Sequence, residues 1–99
     1  MFVNLLFFWL NSTDLAKQRV KLRVSQGGHN VPEDVIERRY ERGLYNFFNH
    51  YMDICDNVMF FDNSGEKPRL IMGHVKNNDV DIYDAELFNQ LKIKYMNIV

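Results

Sequence analysis

Phe2-Val3-Asn4-Leu5-Leu6-Phe7-Phe8-Trp9-Leu10, followed by Asn11-Ser12-Thr13-Asp14, decides the fold class of this chain. The run is almost wholly apolar with no alternation, and it ends in a cluster of polar capping residues. Apolar continuity without a period of two is the mark of a strand buried on both faces, as in the parallel sheets of α/β proteins. A secretory signal needs a basic segment before the apolar run and small residues at a cleavage site after it. Neither stands here. The run is also far short of the roughly 20 apolar residues that span a bilayer. The expectation is a cytoplasmic protein with no membrane association.

The 99 residues allow one domain or part of one. At 46% hydrophobic, 25% charged and 14% aromatic, the chain has a globular composition, which excludes a disordered tail or a collagen-like repeat. Twelve Lys and Arg against 13 Asp and Glu leave a net charge of −1, so nothing draws the whole molecule to nucleic acid. The single Cys55 has no internal partner and suits a reducing compartment.

Outward from the first strand (residues 1–12), the pattern changes to helical spacing. Ser12, Thr13 and Asp14 are N-cap residues, and Leu15, Ala16, Val20 and Val24 follow, which predicts a helix over 13–25. Gly27 and Gly28 should close it by supplying positive φ. Pro32 is expected at the first position of a second helix, with Glu33 and Asp34 at its positive end. Ile36, Tyr40, Leu44, Phe47, Phe48 and Tyr51 form its apolar stripe, running to about His50, and Tyr45 joins them as a core aromatic. The helical pair thus occupies 13–50. Strands are expected at 57–61, 69–72 and 80–83, and a final helix at 85–95. One long crossover between two apolar strands is what parallel pairing requires.

Seven of the 12 basic residues lie between Lys17 and Arg42. Arg19 and Arg23 are one turn apart on one helical face. Arg39, beside the core position Tyr40, should point into the angle between the two helices. Guanidinium groups converging on one gap suit a polyanion, because Arg meets phosphate with a rigid two-pronged donor. The plainer alternative is a solvated face in which Glu33, Glu37 and Glu41 pair with the arginines.

The block Arg19-Val20-x-x-Arg23-Val24-x-x-Gly27-Gly28-His29-x-Val31-Pro32-x-x-x-Ile36-x-x-Arg39-Tyr40 resembles the lid segment of the zeta toxin family of P-loop kinases. The chromosomal zeta-toxin-like proteins are the nearest in pattern. The strand into Trp9-Leu10-x-Ser12, the strand end Phe61-Asp62-Asn63-Ser64 and Pro68-Arg69-Leu70-Ile71 agree, so the likeness runs from about Val3 to Leu91. It implies the C-terminal part of a P-loop kinase-like parallel sheet carrying a two-helix lid. It further implies ATP and magnesium as cofactors and transfer of phosphate to a small molecule. By position, Arg23 and Arg39, then Arg19, would contact the nucleotide phosphates, and Asn63 and Ser64 would lie near the adenine. Gly27, Gly28, His29 and Pro32 would form the lid hinge. The family's Gly-x-x-x-x-Gly-Lys-Ser/Thr is absent from these 99 residues, as is the upstream substrate-activating Asp, so catalysis should need more than this chain.

A half-sheet should expose apolar surface, which predicts a homo-oligomer or a second chain bearing the P-loop. Two other functions follow from the same residues: a non-catalytic protein-interaction module derived from a decayed kinase, and a weak binder of polyanions. His29, His50, His74 and Cys55 fall in no metal-ligand spacing and read as structural, with His29 holding the lid loop. Asp79, Asp81, Asp84 and Glu86 read as a solvated turn leading into a helix N-cap rather than as a calcium loop.

Overall fold

The computed structural model describes residues 3–96. Along the chain it contains β1 (Asn4–Trp9), α1 (Thr13–Ser25), α2 (Glu33–Asn46), a π-helical turn (Phe47–Tyr51), α3 (Met52–Ile54), β2 (Asn57–Asp62), β3 (Arg69–Val75), β4 (Asp81–Ile82) and α4 (Ala85–Tyr95). The class is mixed α/β: one four-stranded sheet in the order β1-β2-β3-β4, with helices packed on one side. Phe2, at the start of the apolar run, lies outside the described residues.

The sheet is mixed, not parallel. β1 and β2 pair in parallel, from Asn4 opposite Asn57 to Trp9 opposite Asp62, because the helical crossover between them is long enough to carry the chain back. β2 and β3 are antiparallel, and so are β3 and β4. The segment between Asp62 and Arg69 is too short for a crossover, so the chain can only reverse. A bulge interrupts the second ladder, where Phe60 faces Met72 and Phe61 faces Leu70, leaving Ile71 as the extra residue. Both Ile71 and Met72 are thereby fully buried.

Strand β1 is not buried on both faces. Leu5, Phe7 and Trp9 face the helices, while Leu6 and Phe8 are 55% and 49% exposed. The uniform apolar run therefore reflects a strand with only one face covered by the described residues.

The core is aromatic. Phe60 stacks on Phe7 at 5.3 Å between ring centres and meets Phe47 at 5.0 Å and Phe88 at 5.9 Å. Leu44, Phe47 and Phe48 from the long helical segment and Phe88, Leu91 and Tyr95 from α4 complete it. Ring pairs in such tilted and edge-on arrangements add to the burial term. The expected helical stripe holds from Ile36 to Phe48 and then fails: Tyr51 is exposed, as is Tyr45. The π turn is the reason, since its wider winding rotates Tyr51 away from the sheet.

Local chemistry sets the helix ends. The Ser12 hydroxyl accepts from the Leu15 amide, and the Asp84 carboxylate accepts from the Leu87 amide, capping α1 and α4. Pro32 caps α2 from outside in an extended conformation, one residue earlier than expected. Of the two glycines only Gly27 has positive φ, at 95°. Gly28 is needed for a different reason: a Cβ there would stand 2.8 Å from the Arg23 carbonyl oxygen, to which its amide donates.

Replacing Phe60 by Ala should cost about 3–5 kcal/mol, read from the midpoint of urea unfolding. The Tyr95 phenol is pushed well above its ordinary value, first by burial and then by the neighbouring Glu41 carboxylate. Its neutral form is thus favoured in the folded state, so its stability contribution is complete below about pH 10 and is lost as the pH rises further. Tyr95→Phe should flatten the alkaline part of a stability–pH curve; Tyr40, raised by burial, and Lys17, raised by its hydrogen bond to Glu37, also contribute there.

Candidate functional site

In open α/β sheets, ligands collect beyond the carboxyl ends of parallel strands, where the chain leaves the sheet for its helices. The carboxyl ends of β1 and β2 lie side by side, and the sequence-predicted residues separate here into those that reach this point and those that do not. Trp9 at the end of β1 sits opposite Asp62 at the end of β2. The loop after β2 is tied across the gap: the Asn63 amide donates to the Trp9 carbonyl at 2.7 Å, and the Asn11 amide donates to the Ser64 hydroxyl at 2.9 Å. The Asp62 carboxylate accepts from the Ser64 amide.

Arg19, half-buried on α1, donates to the Ser64 carbonyl at 3.4 Å. It brings a guanidinium group onto the strand ends and links three of the predicted residues' elements. Arg39 does not point into the angle between the helices. It lines a slot of ≈ 220 Å³ beside β1 with Phe7, Phe8, Trp9 and Tyr40. The angle between α1 and α2 is occupied by Lys17, whose ammonium pairs with Glu37 and, at 3.9 Å, with Glu33. Glu33 and Glu37 are paired, but with Lys17 rather than with the arginines, and Glu41 lies against the Tyr95 phenol instead. Among the described residues, Arg19, Arg23 and Arg39 make no ion pair.

Arg23, Gly27, Gly28 and His29 stand apart from this point. Residues 21–30 are all exposed, so the far half of α1 and the glycine turn form an arm outside the core. His29 makes no hydrogen bond among the described residues and does not hold the loop; its surroundings there are open solvent. The acidic run behaves as a turn and cap, with Asp84 also paired to Arg69 at 3.2 Å. No group of His, Cys, Asp and Glu among the described residues could hold a metal ion. No described helix is long and apolar enough to cross a membrane.

Two features of the slot escaped the sequence reading. The Tyr40 hydroxyl donates to the Leu10 carbonyl at 2.6 Å, pinning α2 to the end of β1. The Trp9 indole N–H lies beside that hydroxyl, is buried, and completes no hydrogen bond. An unmade bond at a buried donor costs about 1–3 kcal/mol. It lies at the strand whose outer edge has no neighbour among the described residues. An Arg and a Tyr at adjacent positions, 39 and 40, after an apolar strand were the available signal for this slot; the orphaned N–H has none, because its partner depends on packing.

No family model, curated protein or solved structure matches this chain. The geometry defines a mixed α/β domain with a basic, partly aromatic site at its strand ends and an exposed helical arm beside it.

The arm should open far more easily than the core. Backbone amides at Lys21–Val24 are expected to exchange with deuterium at least about 100-fold faster than those at Leu44–Phe48, measured by hydrogen-exchange mass spectrometry or NMR.

Proposed function

We propose that this chain is the lid-bearing part of a zeta-toxin-like P-loop kinase, supplying phosphate-binding arginines for transfer from ATP to a small molecule and inactive by itself. The observation that carries the reading is Arg19 on the Ser64 carbonyl with Arg39 in the slot beside Trp9, all at the carboxyl ends of one parallel strand pair. These two guanidinium groups suit a polyphosphate, since neither is neutralised by a carboxylate and both can present paired donors. Phosphoryl transfer is catalysed by positioning and by neutralising charge on the equatorial oxygens, which is what such donors do. Arg23 would join them only through movement of the arm about Gly27, where φ is already positive.

In this reading magnesium is held by the P-loop part. A strand from that part would add to the open edge of β1. There it would cover the slot. A non-catalytic interaction module is the second reading, favoured by the uncovered apolar face of the sheet.

The test is nucleotide binding and phosphate transfer with the P-loop part of a zeta-toxin-like kinase supplied as a second polypeptide. Transfer should require both, and Arg39→Ala or Arg19→Ala should lower kcat by about 100-fold with little change in folding. Failure of the mixture to bind ATP, or arginine variants with unchanged rate, would exclude the kinase reading and leave the interaction module.

A further inference from the structure

The slot between the end of β1 and α2 offers more than the arginine assigned to nucleotide phosphates. Residues 7–10 form one wall, and Arg39, Tyr40, Gly43 and Leu44 of α2 form the other. Apart from Arg39 the lining is apolar or aromatic, with Phe7, Phe8 and Trp9 on one side and Tyr40 on the other. Its volume is ≈ 220 Å³. Apolar cavities of about 150 Å³ take up benzene, so the slot has room for one substituted ring. Aromatic walls favour such an occupant, because ring pairs gain from offset and edge-on packing beyond the area they bury.

Gly43 keeps the slot open. It lies inside α2, where glycine is unfavourable relative to alanine. Packing does not require it. Its φ is not positive, and a Cβ there would approach the nearest group outside its own helix, the Phe7 ring, at 3.9 Å. That is ordinary contact. What the missing side chain leaves instead is space beside Phe7, in the slot.

The polar side-chain atoms of the slot are engaged or buried, with one exception. The Tyr40 hydroxyl donates to the Leu10 carbonyl, and the Trp9 N–H is buried beside that hydroxyl. Arg39 is exposed and makes no hydrogen bond or ion pair among the described residues. The α2 carboxylates nearest to it in sequence do not compete: Glu37 holds Lys17, and Glu41 lies against the Tyr95 phenol. A free guanidinium on an apolar slot selects an anion, which it meets with two parallel donors.

We propose that the slot binds a small aromatic anion, with the ring beside Gly43 and its carboxylate or phosphate group on Arg39. The site is formed by this chain alone and needs one anionic group, so it goes beyond the nucleotide reading and does not depend on a P-loop part.

Trp9 is the only tryptophan of the chain and lines the slot, so its fluorescence reports occupancy. The full chain is titrated with 3-phenylpropionate and with phenyl phosphate to about 10 mM, the weak limit for ligands of this size. A saturating change is expected with at least one, and the tighter of the two identifies the anionic group. The uncharged 3-phenylpropanol should bind at least about tenfold more weakly. Arg39→Ala should weaken the anion by at least about tenfold. Gly43→Leu should abolish the change by filling the slot, with the helical circular dichroism retained. If Gly43→Leu does not fold, Arg39→Ala, at an exposed position, carries the test. No saturating change with either anion, equal affinity for the alcohol, or full affinity in either folded variant overturns the proposal. Neither ATP nor a P-loop part enters this titration, so its failure is distinct from failure of the kinase reading.

Discussion

Phe60 lies at the middle of β2 with no exposed surface, and rings from β1, the π turn and α4 close around it. Everything else in the molecule is arranged by that contact. It holds the parallel pair together from one side, fixes which face of β1 turns inward, and gives the long helical segment a place to dock. Phe47 and Phe48 follow Leu44 by three and four residues, the α-helical spacing of one face, and both touch the cluster where the π turn begins.

The same arrangement places the basic site. Packing of α2 on the inner face brings Tyr40 to the Leu10 carbonyl and Arg39 beside Trp9. The loop after β2 is then bound across to Asn11 and Trp9, and Arg19 reaches it from α1. The arm beyond Lys21 receives none of this support. A rigid strand end next to a weakly held arm is a suitable arrangement for a site that closes over its ligand.

Packing on a single side has a second outcome. A helical layer over one face leaves the other with Leu6, Phe8 and Met59 in water, and leaves β1 with an open edge. Exposed apolar sheet surface and unpaired edges are both means of association.

Much of the local structure was legible in the sequence. The apolar run at β1, the Ser12 cap, the start of α4 at Asp84 and the extent of α1 follow from chemistry within a few residues, so they need no knowledge of neighbours. The mixed α/β class followed too, since a long helical crossover between apolar strands permits parallel pairing. The direction of β3 did not follow from its apolar character, although the short connection before it admits only reversal. Arg39 was assigned to the wrong gap. Helical periodicity gives the angle of a side chain about its own axis, but not which neighbour that angle meets. The exposure of Leu6 and Phe8 and the burial of the Trp9 N–H beside Tyr40 were decided by tertiary structure alone. Burial is a relation between elements: a residue's own character states what it would bury, and only the packing states whether anything covers it.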